Sequence, residues 1–246
     1  MELHILPLEK LMATAAAHVS QLSTRAIAER ERFTVALSGG SLIKLLCPPL
    51  VAEPLRSQID WAAWHVFWAD ERYLPLGHPE SNYSLARDHL FDHVNIPPSQ
   101  VHAVETAAAD PAAAATAYQA TLHRVFQPSP GQLPRFDLIM LGMGEDGHTA
   151  SLFPGHPFLL ETERWVAPVF DSPKPPPERI TLTLPVINNA RQVLFIVAGE
   201  GKADTLQKVL DSNSMTDALP SQLVQPVHGE LHWFVDEAAA AKLAQP

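Results

Sequence analysis

The chain is short of cysteine, of positive charge and of long apolar runs, and each shortage removes a class of protein. Its single cysteine, Cys47, can close no internal disulfide and build no thiolate metal cluster, which suits a reducing, cytoplasmic setting. Cys47 lies in Leu45-Leu46-Cys47-Pro48, the packed end of an expected helix, where a nucleophile is a poor reading. Lysine and arginine number 17 against 27 aspartates and glutamates, a formal net charge of −10. That balance speaks against nucleic acid and membrane surfaces as partners, while leaving room for a few placed cations to hold a small phosphorylated ligand. No apolar stretch approaches the roughly 20 residues that span a bilayer, and no basic segment with an apolar core opens the chain, so a soluble protein is expected. No obligate protein partner is evident.

Cofactor motifs are missing too. There is no Gly-x-x-x-x-Gly-Lys-Ser/Thr, and no Gly-x-Gly-x-x-Gly follows an early strand. Gly142 to Gly147 fits the latter only superficially, because it lies mid-chain and runs into a histidine and Leu-Phe-Pro instead of a long helix. The twelve histidines are scattered without a His-Glu-x-x-His pair, and no Gly-x-Ser-x-Gly elbow occurs. The expectation is a site with no metal and no organic cofactor.

What is present is a globular pattern: 246 residues, 46% of them hydrophobic, exclude disorder and suit one domain over 1–246. Strand-like runs (Phe33–Leu37, Trp64–Trp68, Phe136–Leu141, Ile180–Leu184, Gln192–Val197, Leu231–Val235) alternate with helical stretches at Leu8–Arg32, Leu42–Leu46, from Ser81, and Pro111–Phe126. Such alternation predicts an α/β fold with an open, mostly parallel twisted sheet and helices on both faces.

The densest signal is Leu141-Gly-Met-Gly-Glu-Asp-Gly-His-Thr-Ala-Ser-Leu-Phe-Pro154. Gly142, Gly144 and Gly147 permit tight turning and close approach to a ligand, and His148 is a side chain able to exchange a proton near neutral pH. A glycine-rich loop with a histidine after a parallel strand stands where open α/β sheets bind ligands. Asp146 either orients His148 or caps the loop, and Ser151 reads as a turn or capping residue.

Four further places carry possible chemistry. Ser38-Gly39-Gly40-Ser41, between a strand and a helix, suits a phosphate as well as it suits a plain tight turn. Asp70-Glu71-Arg72 sets a carboxylate and a guanidinium two residues apart at a strand end. Arg179 follows the stiff Pro173-Lys-Pro-Pro-Pro177 loop, and Lys202 ends Gly199-Glu-Gly-Lys. If all lie at carboxyl ends of parallel strands they share one edge, and cations gathered there imply a phosphorylated ligand.

Taken together, Ser38-Gly-Gly-Ser41, Trp68-Ala-Asp-Glu-Arg72, Ser81-Asn-Tyr83, Gly142-x-Gly-x-Asp-Gly-His-Thr-Ala-Ser-Leu-Phe-Pro154, Pro175-Pro-Pro-Glu-Arg-Ile-Thr-Leu182 and Gly199-x-Gly-Lys202 resemble the 6-phosphogluconolactonase family, in order and over nearly the whole chain. The resemblance implies a modified Rossmann-like scaffold related to sugar-phosphate deaminases and isomerases. It implies hydrolysis of 6-phospho-D-glucono-1,5-lactone in the oxidative pentose phosphate pathway, without metal or cofactor. Under it, His148 is the catalytic histidine, Asp70 and Arg72 the acidic-basic strand-end pair, and Arg179 and Lys202 phosphate ligands. Ile43-Lys44 departs from the many members with a proline or small residue there. The glucosamine-6-phosphate deaminase pattern has a glutamate soon after the histidine and a tyrosine in place of Arg72; this chain has Leu152-Phe153-Pro154 and an arginine. A non-catalytic sugar-phosphate sensor would normally carry a basic DNA-binding segment, for which this acidic chain has no room.

Overall fold

Strands buried along their whole length, and not at every second residue, belong to a parallel sheet covered on both faces. Phe33–Leu37 and Gln192–Val197 are buried throughout, and Leu138–Gly142 all but its last residue, in a computed structural model that describes residues 1–211 and 217–243. The elements run β1 (Glu2–Leu6), α1 (Leu8–Arg30), β2 (Phe33–Leu37), α2 (Ser41–Leu50), α3 (Leu55–Gln58), β3 (Trp64–Trp68), β4 (Asp70–Arg72) and α4 (Asn82–His89). They continue with α5 (Pro111–Phe126), β5 (Leu138–Gly142), β6 (Val166–Val169), β7 (Arg179–Leu182), α6 (Leu184–Ile187), β8 (Gln192–Val197), α7 (Ala203–Asp211) and β9 (Glu230–Asp236).

Six strands form one sheet in the order β1-β9-β8-β5-β2-β3, every pair parallel, and helices flank it. The order reverses at β2: β3 lies on one side of it and β5 on the other. Loops leaving β2 and β5 therefore diverge, and the crevice between them is the place where open α/β sheets take ligands. Apolar side chains fill the interior, with Trp64, Trp68, Trp233, Phe33 and Phe195 among the largest sealed from solvent. The Tyr118 hydroxyl of α5 clasps the Trp68 backbone at the end of β3, accepting from its N–H at 2.7 Å and donating to its carbonyl at 3.1 Å.

A second, antiparallel sheet, β4-β7-β6, departs from the expected single sheet. The chain passes between sheets at Ala69, whose N–H donates to Leu37 of β2 at 2.8 Å while its carbonyl accepts from Leu182 of β7 at 2.7 Å. Asp70-Glu71-Arg72 is thus a strand in its own right, not the frayed end of Trp64–Trp68. Other boundaries shift by a residue or two. The β5 ladder begins at Leu138, and Asp137 just before it is tied to β2 as well: its N–H donates to the Thr34 carbonyl at 3.1 Å, and its carboxylate accepts from the Thr34 N–H at 2.9 Å and hydroxyl at 2.8 Å. The helix expected over Leu42–Leu46 extends to Leu50 and includes Cys47, and burial pushes the Cys47 thiol up to about 12.

Candidate active site

The loops after β2 and β5 line a cleft of about 370 Å³ together with residues of the antiparallel sheet and the proline loop. His148 and every residue from Ser38 to Ser41 are on its walls, as are Asp70, Arg72, Arg179 and Lys202. The sequence-derived candidates therefore converge, although not by a single route.

On the β5 side, Gly147 turns the backbone at φ 82°, and the Gly144 N–H donates to the His148 carbonyl at 2.8 Å. Asp146 Oδ1 lies 2.5 Å from His148 Nδ1 and accepts from the His148 backbone N–H at 3.3 Å, so one oxygen touches both the ring and the loop backbone. Gly144 makes room for that pair: a Cβ there would stand 2.0 Å from His148 Nδ1 and 2.4 Å from Asp146 Oδ1. Among the described residues His148 Nε2 has no hydrogen-bond partner and is not sealed in, so it opens to the cleft. The ring leans on Phe153, with centroids 4.7 Å apart. Burial lowers the His148 pKa below its usual 6.5, Asp146 pulls it back up, and the Lys174 ammonium lowers it further.

The β2 side presents backbone. Gly40 opens α2 with φ 67°, and Gly39 abuts Asn82, whose Oδ1 would lie 1.8 Å from a Cβ at that position. Asn82, read from the sequence as part of a helix start and of the family motif but given no role of its own, lines the cleft, and its Nδ2 donates to the Asp70 carbonyl at 2.8 Å.

From the antiparallel sheet comes a frame of charged side chains. Asp70, buried, accepts from the Ser38 hydroxyl at 2.7 Å and from the Ser151 hydroxyl at 2.9 Å. Ser151 lies in a turn, one of the two readings of it, and its hydroxyl joins the histidine loop to Asp70. Glu71 has a different task, accepting from the N–H groups of Arg72, Asn82 and Tyr83 at 2.7, 2.7 and 2.8 Å and so anchoring the start of α4. Burial pushes its carboxyl up to about 7, against the pull of those N–H donors.

Arg179 is not at the carboxyl end of a parallel strand as expected but at the first residue of antiparallel β7, cross-strand from Arg72. It is 4% exposed, and its guanidinium donates to the carbonyls of Pro176 (3.0 Å), Lys174 (2.9 Å) and Pro175 (3.1 Å). The proline loop is thereby folded around it. Arg72 donates to the Glu80 carbonyl at 2.5 Å and keeps a buried Nε without a partner. Lys202 donates to the Met143 carbonyl at 2.7 Å, and burial lowers its pKa.

Lys174 escapes sequence reading, since a lysine among prolines carries no local signal. Its Nζ lies 3.3 Å from Asp146 Oδ1 on the cleft wall. Arg72, Lys174, Arg179 and Lys202 thus gather in one cleft of a chain whose net charge is −10. Among the described residues, the one group of three or more side chains spaced as metal ligands (Glu2, His4 and His232) lies outside this cleft, and no helix is long and apolar enough to cross a membrane.

A family model described as glucosamine-6-phosphate isomerases/6-phosphogluconolactonase matches residues 7–233. The human protein named 6-phosphogluconolactonase is 46% identical over 246 residues, covering 97% of this chain and 92% of its own. The solved 6-phosphogluconolactonase of Trypanosoma cruzi superposes with a TM-score of 0.87 at 28% identity, covering 99% of this chain and 97% of that one. A monomeric glucosamine-6-phosphate deaminase shares the fold with a TM-score of 0.78 at 20% identity, covering 98% of this chain and 100% of that one.

Proposed function

The chain belongs to the glucosamine-6-phosphate isomerase/6-phosphogluconolactonase family, and we propose that it hydrolyses 6-phospho-D-glucono-1,5-lactone to 6-phosphogluconate with His148 as the base. The observation that carries this reading is His148 itself: Nδ1 is held by Asp146, leaving Nε2 free at a cleft walled by four cations. A proton on Nδ1, facing the carboxylate, leaves a lone pair on Nε2. That lone pair takes a proton from water as the water oxygen bonds to the lactone carbonyl carbon. The tetrahedral adduct then expels the ring oxygen, which receives the proton back from Nε2 and becomes the sugar hydroxyl. A positioned base contributes on the order of 10²–10⁴ fold. A lactone is an activated ester, so no nucleophilic serine is needed.

Asp70 acts as a positioning residue, fixing Ser38 and Ser151 on either side of the cleft. Arg72, Arg179 and Lys202, with N–H groups from Gly39 to Ser41, hold the phosphate, as a nest with flanking cations does elsewhere. Lys174 adds charge beside the histidine. The deaminase reading loses ground at Leu152-Phe153-Pro154, which supplies no carboxylate after the histidine and packs the Phe153 ring against His148 instead. The reading needs no metal, organic cofactor, nucleic acid or protein partner, treats the chain as one domain, and suits a cytoplasmic enzyme.

The test is proton release on adding freshly made lactone, with spontaneous hydrolysis subtracted. Wild type should accelerate release, and His148→Ala should lower turnover at least about a hundredfold while ligand binding persists. Absence of any acceleration by wild type rejects the activity; near-normal turnover in folded His148→Ala rejects the base.

A further inference from the structure

A histidine cluster at the edge of the six-stranded sheet has no part in the cleft. β1 and β9 pair with Glu2 opposite His232, and His4, two residues further on, shares the Glu2 face of β1. His232 Nδ1 stands 3.4 Å from Glu2 Oε2, and His4 Nε2 stands 3.8 Å from the same oxygen. One ligand atom from each of the three residues lies within 4.8 Å of the others. Both nitrogens are buried without a hydrogen bond, and His232 is only 3% exposed. Ligands about 2.0–2.2 Å from a tetrahedral zinc are themselves roughly 3.3–3.6 Å apart, close to the spacing found.

The far side of His232 strengthens the case. Glu230 Oε2 lies 3.5 Å from Nε2, so the ring has a carboxylate oxygen beside each of its nitrogens. Nδ1, buried and without a hydrogen bond, faces the Glu2 oxygen across a gap that a cation can fill. A carboxylate on the outer nitrogen is also what metal-bound histidines favour. The rings of Phe234, 4.4 Å from His4, and His18, 4.6 Å from His232, pack around the pair.

We propose that Glu2, His4 and His232 bind a divalent transition ion of the zinc class, with water in the fourth position, and that this ion fastens β1 to β9. Because binding requires the two strands to be paired, its free energy adds to stability and not to turnover. The test uses the full chain without a histidine tag, stripped of metal and titrated with zinc against a chromophoric chelator. Zinc should bind one-to-one and raise the thermal midpoint. His4→Gln and Glu2→Gln, partly or fully exposed positions that a folded protein tolerates, should each weaken binding at least about tenfold. His148→Asn should not change it. No stoichiometric binding, or binding kept in His4→Gln and lost in His148→Asn, overturns the proposal.

Discussion

Two sheets end at the cleft, and they supply it with different kinds of group. The parallel sheet brings backbone shape: two glycine-bearing loops, open N–H groups and one histidine whose free nitrogen faces the ligand space. The antiparallel sheet and its proline loop bring charge already tied down, with Asp70 held by two hydroxyls and Arg179 by three carbonyls. The first kind fails abruptly when shape changes. The second should weaken by degrees, since removing one charged hydrogen bond leaves the others in place.

The sharpest way to break this contrast is Gly144→Ala. The added Cβ has to displace the His148–Asp146 pair, and a misplacement of about 1 Å costs on the order of a hundredfold in rate. Turnover should fall by about that much while circular dichroism stays native; a variant with full turnover would show that the pair's placement is not critical.

A smaller, selective loss is expected on the charged side. Lys202→Ala or Arg179→Ala should each cost roughly 1.5–3 kcal/mol in kcat/KM, the scale of a hydrogen bond to a charged group. The loss should fall on the phosphorylated lactone and largely spare unphosphorylated gluconolactone. Arg179→Ala should also lower the thermal midpoint, because it releases the carbonyls of the proline loop. Equal losses on both substrates would reject the proposed phosphate site.

The smallest effect concerns pH. A base works unprotonated, and burial lowers the His148 pKa, so under the proposed role the acid limb of kcat/KM should lie below 6.5. Lys174 lowers the pKa and Asp146 raises it. Lys174→Ala should therefore move the limb up in pH and Asp146→Asn should move it down. Shifts in the same direction would contradict the electrostatic assignment.

Legibility in the sequence follows the same division. The parallel strands can be read because a strand buried on both faces requires a continuous apolar run, and the glycine loops because a glycine cluster after a strand constrains the backbone. The antiparallel sheet cannot. β4 is three residues of charge, and β6 contains Pro168, which reads against a strand but is tolerated at this edge. β1 is short and mostly exposed, without a burial pattern to betray it. The proline neighbours of Arg179 mark it out, but its sequence surroundings suggest the wrong kind of strand. Ser151, Asn82 and Lys174 act through partners 81, 12 and 28 residues away in Asp70, Asp70 and Asp146, distances no local pattern encodes.

The strand order also bears on how the molecule is made. Starting from β2 and β3, each later parallel strand joins the growing edge in the order in which it is synthesised: β5 beside β2, β8 beside β5, β9 beside β8. β1 alone breaks the sequence, since its partner β9 is the last strand to be made. At roughly 5–20 residues per second it waits about ten to fifty seconds for that partner to be translated. The nascent chain can thus assemble both cleft loops, which follow β2 and β5, while its first strand is still unpaired. Docking of β1 then closes a sheet whose ligand-binding crevice is already in place.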